Sequence, residues 1–206
     1  MEESTSRLYE AKALYIISQV TGLGEATARE LIRSSGGIWA LARTPEQQLR
    51  QFSGIGPRRA AKLSALTEWA LLLGQLRLDD NVIVRSPSEV ANLLMLEMGL
   101  LDREELRIIS LDTRNRVISI NTIYKGSLNS ALIRICEVMK FPILSNAASF
   151  ILIHNHPSGD PDPSPEDVRI TMLIRESATQ LDLDFMDHLI IGRNRFVSLK
   201  ERGLGF

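Results

Sequence analysis

Two histidines stand two residues apart in the segment Phe150-Ile-Leu-Ile-His154-Asn-His156, and Asp167 follows eleven residues after the second. The apolar run before His154 reads as a strand, and residues i and i+2 of a strand point to one face. His154 and His156 would therefore project together from one rigid element. A Gly/Pro-rich loop follows, from which Asp167 would swing back as a third, oxygen ligand. Two imidazoles and a carboxylate with an open fourth position form the ligand set of a catalytic zinc. Such an ion lowers the pKa of a bound water toward ~7 and polarises a carbonyl. The same residues carry a second reading. Ser164-x-x-Asp167 with Pro165 after the serine is a helix N-terminal capping box, in which Asp167 would simply cap the helix running to about Gln180.

A different chemistry is written near the N-terminus. Gly22-Leu23-Gly24 and Gly54-Ile55-Gly56 each place Gly-apolar-Gly ahead of a helical pattern. Glycine allows a tight turn and close approach of backbone to a ligand. The helix start that follows offers unpaired N–H groups and a positive dipole end, a phosphate-binding device. Pro57 suits a first helical turn. Arg58, Arg59 and Lys62 would add phosphate contacts beside Gly54 and Gly56, whereas the first copy carries Glu25 and Glu30 beside its turn. This pair of turns resembles the helix-hairpin-helix motif, which binds DNA backbones without reading sequence. The bland alternative is two structural turns between packed helices. Four positive charges and no negative one in residues 50–62 would give a modest, salt-dependent affinity.

The elements that must position these groups fall into two regions. In residues 1–78, apolar residues recur at helical spacing (Leu8, Ala11, Leu14, Tyr15; Ala60, Leu63, Leu66, Trp69, Leu73), giving about five short helices. Beyond Asp79-Asp80 the texture changes. β-Branched runs at 107–111, 117–123, 150–154, 188–191 and 196–199 read as strands, and 88–98, 129–139 and 164–180 as helices. Asp112-Thr-Arg-Asn115 reads as a hairpin turn. The expectation is an α+β protein: a small all-α domain over 1–80 followed by a mixed-sheet domain flanked by helices over 81–206.

Composition excludes several classes. The chain has 206 residues, 44% apolar and 24% charged, with net charge −1. Residues 1–80 carry ten Lys+Arg against nine Asp+Glu, so no global field draws the chain to DNA or anionic lipid. No apolar run approaches the ~20 residues of a membrane span. The opening MEESTSRLYEAKAL lacks the basic and apolar regions of a secretory signal. The one cysteine, Cys136, has no internal partner and lies in an apolar helical pattern, where it reads as core. A cytoplasmic protein in a reducing compartment, with no membrane partner, is expected.

His154-x-His156, seven residues, Ser164, two residues, Asp167 matches the JAMM (MPN+) metalloprotease signature position by position. The longer string HNHPSGDPDPSPEDVRIT resembles the bacterial RadC family of JAMM-domain proteins, as do LDTRNRV (111–117), KGSLNSA (125–131) and the stretch around His188. RadC-like proteins also carry an N-terminal helix-hairpin-helix region, so the resemblance spans nearly the whole chain. It implies a JAMM-type, cytidine-deaminase-like fold holding one zinc. It also implies an upstream glutamate acting as general base. Glu104 and Glu105 are both candidates. Family spacing of eight residues before the Asp of the LD pair favours Glu104, and strand alternation allows only one of the two to reach the zinc. One departure stands out: relatives usually show His-Pro-Arg-Glu where this chain has Leu132-Ile-Arg134-Ile-Cys136-Glu137. That puts the substrate groove, not the zinc ligands, in question.

The mechanism so implied is hydrolysis of a peptide or isopeptide amide. His154, His156 and Asp167 would hold Zn²⁺, Glu104 would move the proton, and Ser164 would donate to the developing oxyanion. His188 reads as a hydrogen-bonded residue at a strand start, or as a partner behind the metal ligands. Two competing readings remain: a metal-dependent nuclease, and a non-catalytic DNA-associated repair or recombination module.

Overall fold

The computed structural model describes residues 2–76, 82–126 and 133–206. The chain divides into two compact units, Met1–Leu73 and Gly74–Phe206.

The first unit is helical: α1 (Glu2–Thr21), α2 (Glu25–Ser34), α3 (Ile38–Arg43), α4 (Glu46–Leu49) and α5 (Pro57–Leu76). Leu14, Ile17, Leu23, Ala28, Leu31, Leu41, Leu49, Ile55, Ala60 and Leu63 form its core. In both Gly-x-Gly turns the first glycine takes a left-handed conformation, with φ of 70° at Gly22 and 78° at Gly54. The second glycine then starts the next helix, its carbonyl accepting from Ala28 or Ala60.

The second unit is a five-stranded sheet between helices. α6 (Pro87–Gly99) precedes β1 (Glu105–Leu111) and β2 (Val117–Lys125), and α7 (Ile135–Leu144) leads to β3 (Ser149–Asn155). α8 (Pro165–Gln180), β4 (Asp184–Ile191) and β5 (Phe196–Ser198) complete it. The order is β2-β1-β3-β4-β5; β3 and β4 run parallel and the other neighbours antiparallel. The parallel pair requires a crossover, which α8 supplies.

Alternation assigns the faces. Ile109, Leu111, Ile151, Ile153, Leu189 and Ile191 pack with Val90, Leu94 and Met98 of α6. Leu106, Ile108, Phe150 and Leu152 pack with Val138 of α7 and Ile170 and Ile174 of α8. β3 is thus buried on both faces, which is why it reads as an unbroken apolar run. The Asp112 turn forms as expected, its carboxylate accepting from the N–H groups of Arg114 (2.7 Å) and Arg116 (2.9 Å).

α7 differs from expectation. It starts at Ile135 rather than Asn129, and residues 127–132 lie outside those described. Cys136 falls in its first turn and is exposed rather than in the core. The inward side of α7 is carried by Val138, Met139 and Pro142. No helix among the described residues is long and apolar enough to cross a membrane.

Candidate metal centre

β3 delivers the two histidines to the C-terminal edge of the sheet. His154 lies opposite Leu106 of β1 and beside Ile190 of β4, on the α7/α8 face, and is fully buried. His156 follows just past the strand, its N–H donating to the Ile191 carbonyl at 2.8 Å, and keeps partial access to solvent.

The Asp167 carboxylate both caps α8 and faces the two histidines. Its Oδ2 accepts from the backbone N–H (2.7 Å) and hydroxyl (2.6 Å) of Ser164, while the Ser164 oxygen accepts from the Asp167 N–H at 3.2 Å, completing the capping box. Its Oδ1 lies 3.2 Å from Nε2 of His154. The capped first turn of α8 is therefore what aims the carboxylate at the histidines.

The donor set fits a single ion. The two Nε2 atoms are 3.0 Å apart, and Nε2 of His156 is 3.6 Å from Asp167 Oδ2. A tetrahedral zinc with bonds near 2.0–2.1 Å holds its ligand atoms about 3.3 Å apart, within the span of these separations. Among the described residues His154, His156 and Asp167 form a group able to hold a metal ion. Both Nδ1 atoms point away from that position and are occupied: His154 Nδ1 lies 2.9 Å from His188 Nε2, and His156 Nδ1 donates to the Asp160 carbonyl at 2.8 Å. Orienting partners of this kind fix ring and tautomer in metal-binding histidines.

Electrostatics agree with the geometry. Burial and the neighbouring His188 hold His154 well below its ordinary value, so it stands neutral. Burial opposes charge on His156 as well, but the Asp167 carboxylate, the Asp160 carbonyl and the charge of Glu104 outweigh it and raise its pKa. Asp167 is pushed up by burial and pulled down further by His156, His154 and Ser164, so its carboxyl lies far below the usual range and remains ionised.

The two glutamates separate cleanly. Glu105 opens β1 on the α6 face, where its carboxylate binds Arg107 (2.8 Å) and Lys125 (2.8 Å) and Arg107 in turn binds Glu97 of α6 at 2.8 Å. It faces away from the histidines. Glu104 lies one residue earlier. Continuing the β1–β3 register from Leu106↔His154 sets it across from His156, and its charge acts on that imidazole.

Sequence reasoning missed Asn155. Alternation turns it away from the two histidines that flank it. Its side-chain oxygen accepts from the Glu105 N–H at 2.8 Å and its amide donates to the Arg103 carbonyl at 3.1 Å. These bonds bracket Glu104. The available signal was a polar residue at the end of a buried strand, which must find partners. His188 is likewise more deeply placed than a strand-start residue: β4 begins four residues earlier, and the ring is buried between His154 and Thr171.

Gly192 pins the loop between His156 and Ser164. A Cβ there would meet the Gly159 oxygen at 2.5 Å and Pro161 Cδ at 2.6 Å, and the Arg193 N–H donates to Gly159 at 2.8 Å.

The N-terminal cations lie in the other unit. Arg58 is exposed in the first turn of α5, beside Gly54 and Gly56. Arg59 donates to the carbonyls of Thr21 (3.1 Å) and Gly54 (2.8 Å), and Lys62 to that of Val20 (2.9 Å). These two side chains thus close the C-terminal end of α1.

The second unit is thus a mixed sheet flanked by helices, with a His-x-His segment at the end of β3 and an aspartate at a capped helix start. Residues 84–204 match the family model described as the RadC-like JAB domain. The chain is 48% identical over 179 residues to a UPF0758 protein of Roseiflexus sp. (strain RS-1), covering 87% of this chain and 77% of that one. It is 44% identical over 207 residues to a UPF0758 protein of Chloroflexus aurantiacus, covering 99% and 90%, and 47% identical over 177 residues to one of Moorella thermoacetica, covering 86% and 77%. The chain belongs to the RadC-like JAB domain family.

Proposed function

We propose that this chain is a zinc-dependent hydrolase that cleaves a peptide or isopeptide amide. The observation that carries the reading is the convergence of His154 Nε2, His156 Nε2 and the Asp167 carboxylate on one position, with the Glu104 charge beside it. These three residues would hold the ion, which when bound supplies Lewis acidity and a water of lowered pKa. Glu104 would accept a proton from the attacking water and deliver it to the leaving amine nitrogen. The Ser164 hydroxyl rests on Asp167 Oδ2. Rotated off that oxygen, it would donate to the oxyanion that develops on the substrate carbonyl. Asn155 would keep Glu104 in place during proton transfer.

The test is a screen of fluorogenic peptide and isopeptide substrates with zinc-loaded native chain, Glu104→Gln and His154→Ala/His156→Ala. Hydrolysis by the native chain, lost in Glu104→Gln with its zinc retained, supports the reading. Metal-dependent nicking of plasmid DNA without amide hydrolysis, or hydrolysis indifferent to Glu104→Gln, overturns it.

A further inference from the structure

Thr171 sits one turn after Asp167 on α8, with its side chain buried. Its hydroxyl lies 2.7 Å from the Asp167 carbonyl and 2.6 Å from Nδ1 of His188. Nε2 of His188 lies 2.9 Å from Nδ1 of His154. These contacts form a line from the side chain of one metal-binding residue to the backbone of another, and its polarity can be worked out from the far end.

A carbonyl only accepts, so the single hydroxyl proton of Thr171 goes to Asp167. Thr171 Oγ1 then has only lone pairs to offer His188, and Nδ1 of His188 must carry the N–H. A neutral imidazole has one N–H, so Nε2 of His188 accepts, and Nδ1 of His154 donates to it. The reverse polarity would leave the Thr171 and Asp167 oxygens 2.7 Å apart with no proton between them. The His188 ring is buried, and its two partners, the Thr171 hydroxyl and the His154 imidazole, carry no negative charge, so it is neutral as this line requires. His154, Thr171 and His188 are all essentially inaccessible to solvent, so water offers no substitute partner.

We propose that Thr171 and His188 are positioning residues that fix the proton of His154 on Nδ1 and so leave its Nε2 lone pair aimed at the metal position. The inference rests on the metal-centre reading and adds the part of the chain that prepares one ligand. His156 reaches the same tautomer in one step through the Asp160 carbonyl. His154, deeper in the fold, has an imidazole opposite it. An imidazole accepts or donates equally well, so its polarity must be set from elsewhere, and the helix hydroxyl sets it.

The experiment pairs two readouts on the full chain. Long-range ¹H–¹⁵N spectra of zinc-free protein report the histidine tautomers, and competition with a chromophoric chelator reports zinc affinity. The native chain is expected to show Nδ1–H on His154 and His188 and to take up zinc. Thr171→Val, with unchanged circular dichroism, is expected to lose that tautomer pattern and bind zinc about 10–100-fold more weakly. Thr171→Ser, which restores the hydroxyl, is expected to recover both. A native His154 protonated on Nε2 overturns the proposal, as does Thr171→Val zinc affinity equal to native, while zinc uptake by the native chain upholds the metal centre in either case. A native chain that takes up no zinc overturns the metal centre and the positioning role together.

Discussion

The side-chain oxygen of Asn155 accepts the backbone N–H of Glu105 at 2.8 Å, tying the end of β3, between the two histidines, to the start of the strand that follows Glu104. With the second bond to the Arg103 carbonyl, one amide holds the chain on either side of Glu104. Asn155→Ala removes both bonds and leaves a buried donor without its partner, a loss of about 1–3 kcal/mol. Zinc content should be unchanged and turnover should fall by about 10–100-fold, since a misplaced base weakens proton transfer. Elemental analysis beside steady-state kinetics checks this; turnover equal to native would contradict it.

Glu104 and Glu105 should behave oppositely on substitution. Glu104→Gln should keep the melting temperature and cost about 10²–10⁴-fold in turnover, the range for a general base. Glu105→Gln should cost stability, because Arg107 loses one of its two carboxylates in a buried setting.

The same pair predicts a pH signature. Burial alone would raise the Glu105 carboxyl, but Lys125 and Arg107 overcome it and hold its pKa below the ordinary 4.5. A depressed carboxyl stabilises the fold above its unfolded value and loses that contribution as pH falls through the folded value. Denaturant titrations between about pH 5 and pH 2 should therefore give a shallower loss of stability for Glu105→Gln than for the native chain.

Gly192→Ala should weaken zinc binding from a distance. The added Cβ would collide with backbone at Gly159 and with the ring of Pro161, and that loop carries the Asp160 carbonyl which orients His156. Zinc affinity should drop while circular dichroism stays native. An affinity equal to native would mean that the loop yields without disturbing His156.

Arg59→Ala and Lys62→Ala test what the N-terminal cations do. Each removes hydrogen bonds to carbonyls at the end of α1, so each should destabilise the helical unit by about 0.5–1.5 kcal/mol. Thermal melts of the two variants beside Arg58→Ala, whose side chain is exposed, separate this role from a DNA contact. A drop in DNA affinity with no change in melting would favour the contact.

β3 was legible because it is buried on both faces and runs apolar from Phe150 to Ile153, and the His154/His156 pair because a two-residue period fixes its face. Asp167 looked ambiguous because one carboxylate both caps α8 and faces the histidines, and a sequence pattern does not choose between the two. Family spacing favoured Glu104 over Glu105; the register of β1 on β3, a long-range property that adjacent residues do not encode, supplies the physical reason that the two face opposite ways. The start of α7 was misplaced because an apolar helical pattern carries no marker for where the helix begins. The ties of Asn155 to Glu105 and Arg103, and of His188 to Thr171 and His154, span 17 to 52 residues in sequence, beyond any local signal.

Whether His154, His156 and Asp167 hold zinc is read from zinc per chain, measured by elemental analysis on native protein and on His154→Ala/His156→Ala side by side. About one zinc is expected in the native chain and none in the variant. No zinc in the native chain, even after zinc is added back and excess removed, or equal zinc in both proteins, would contradict it.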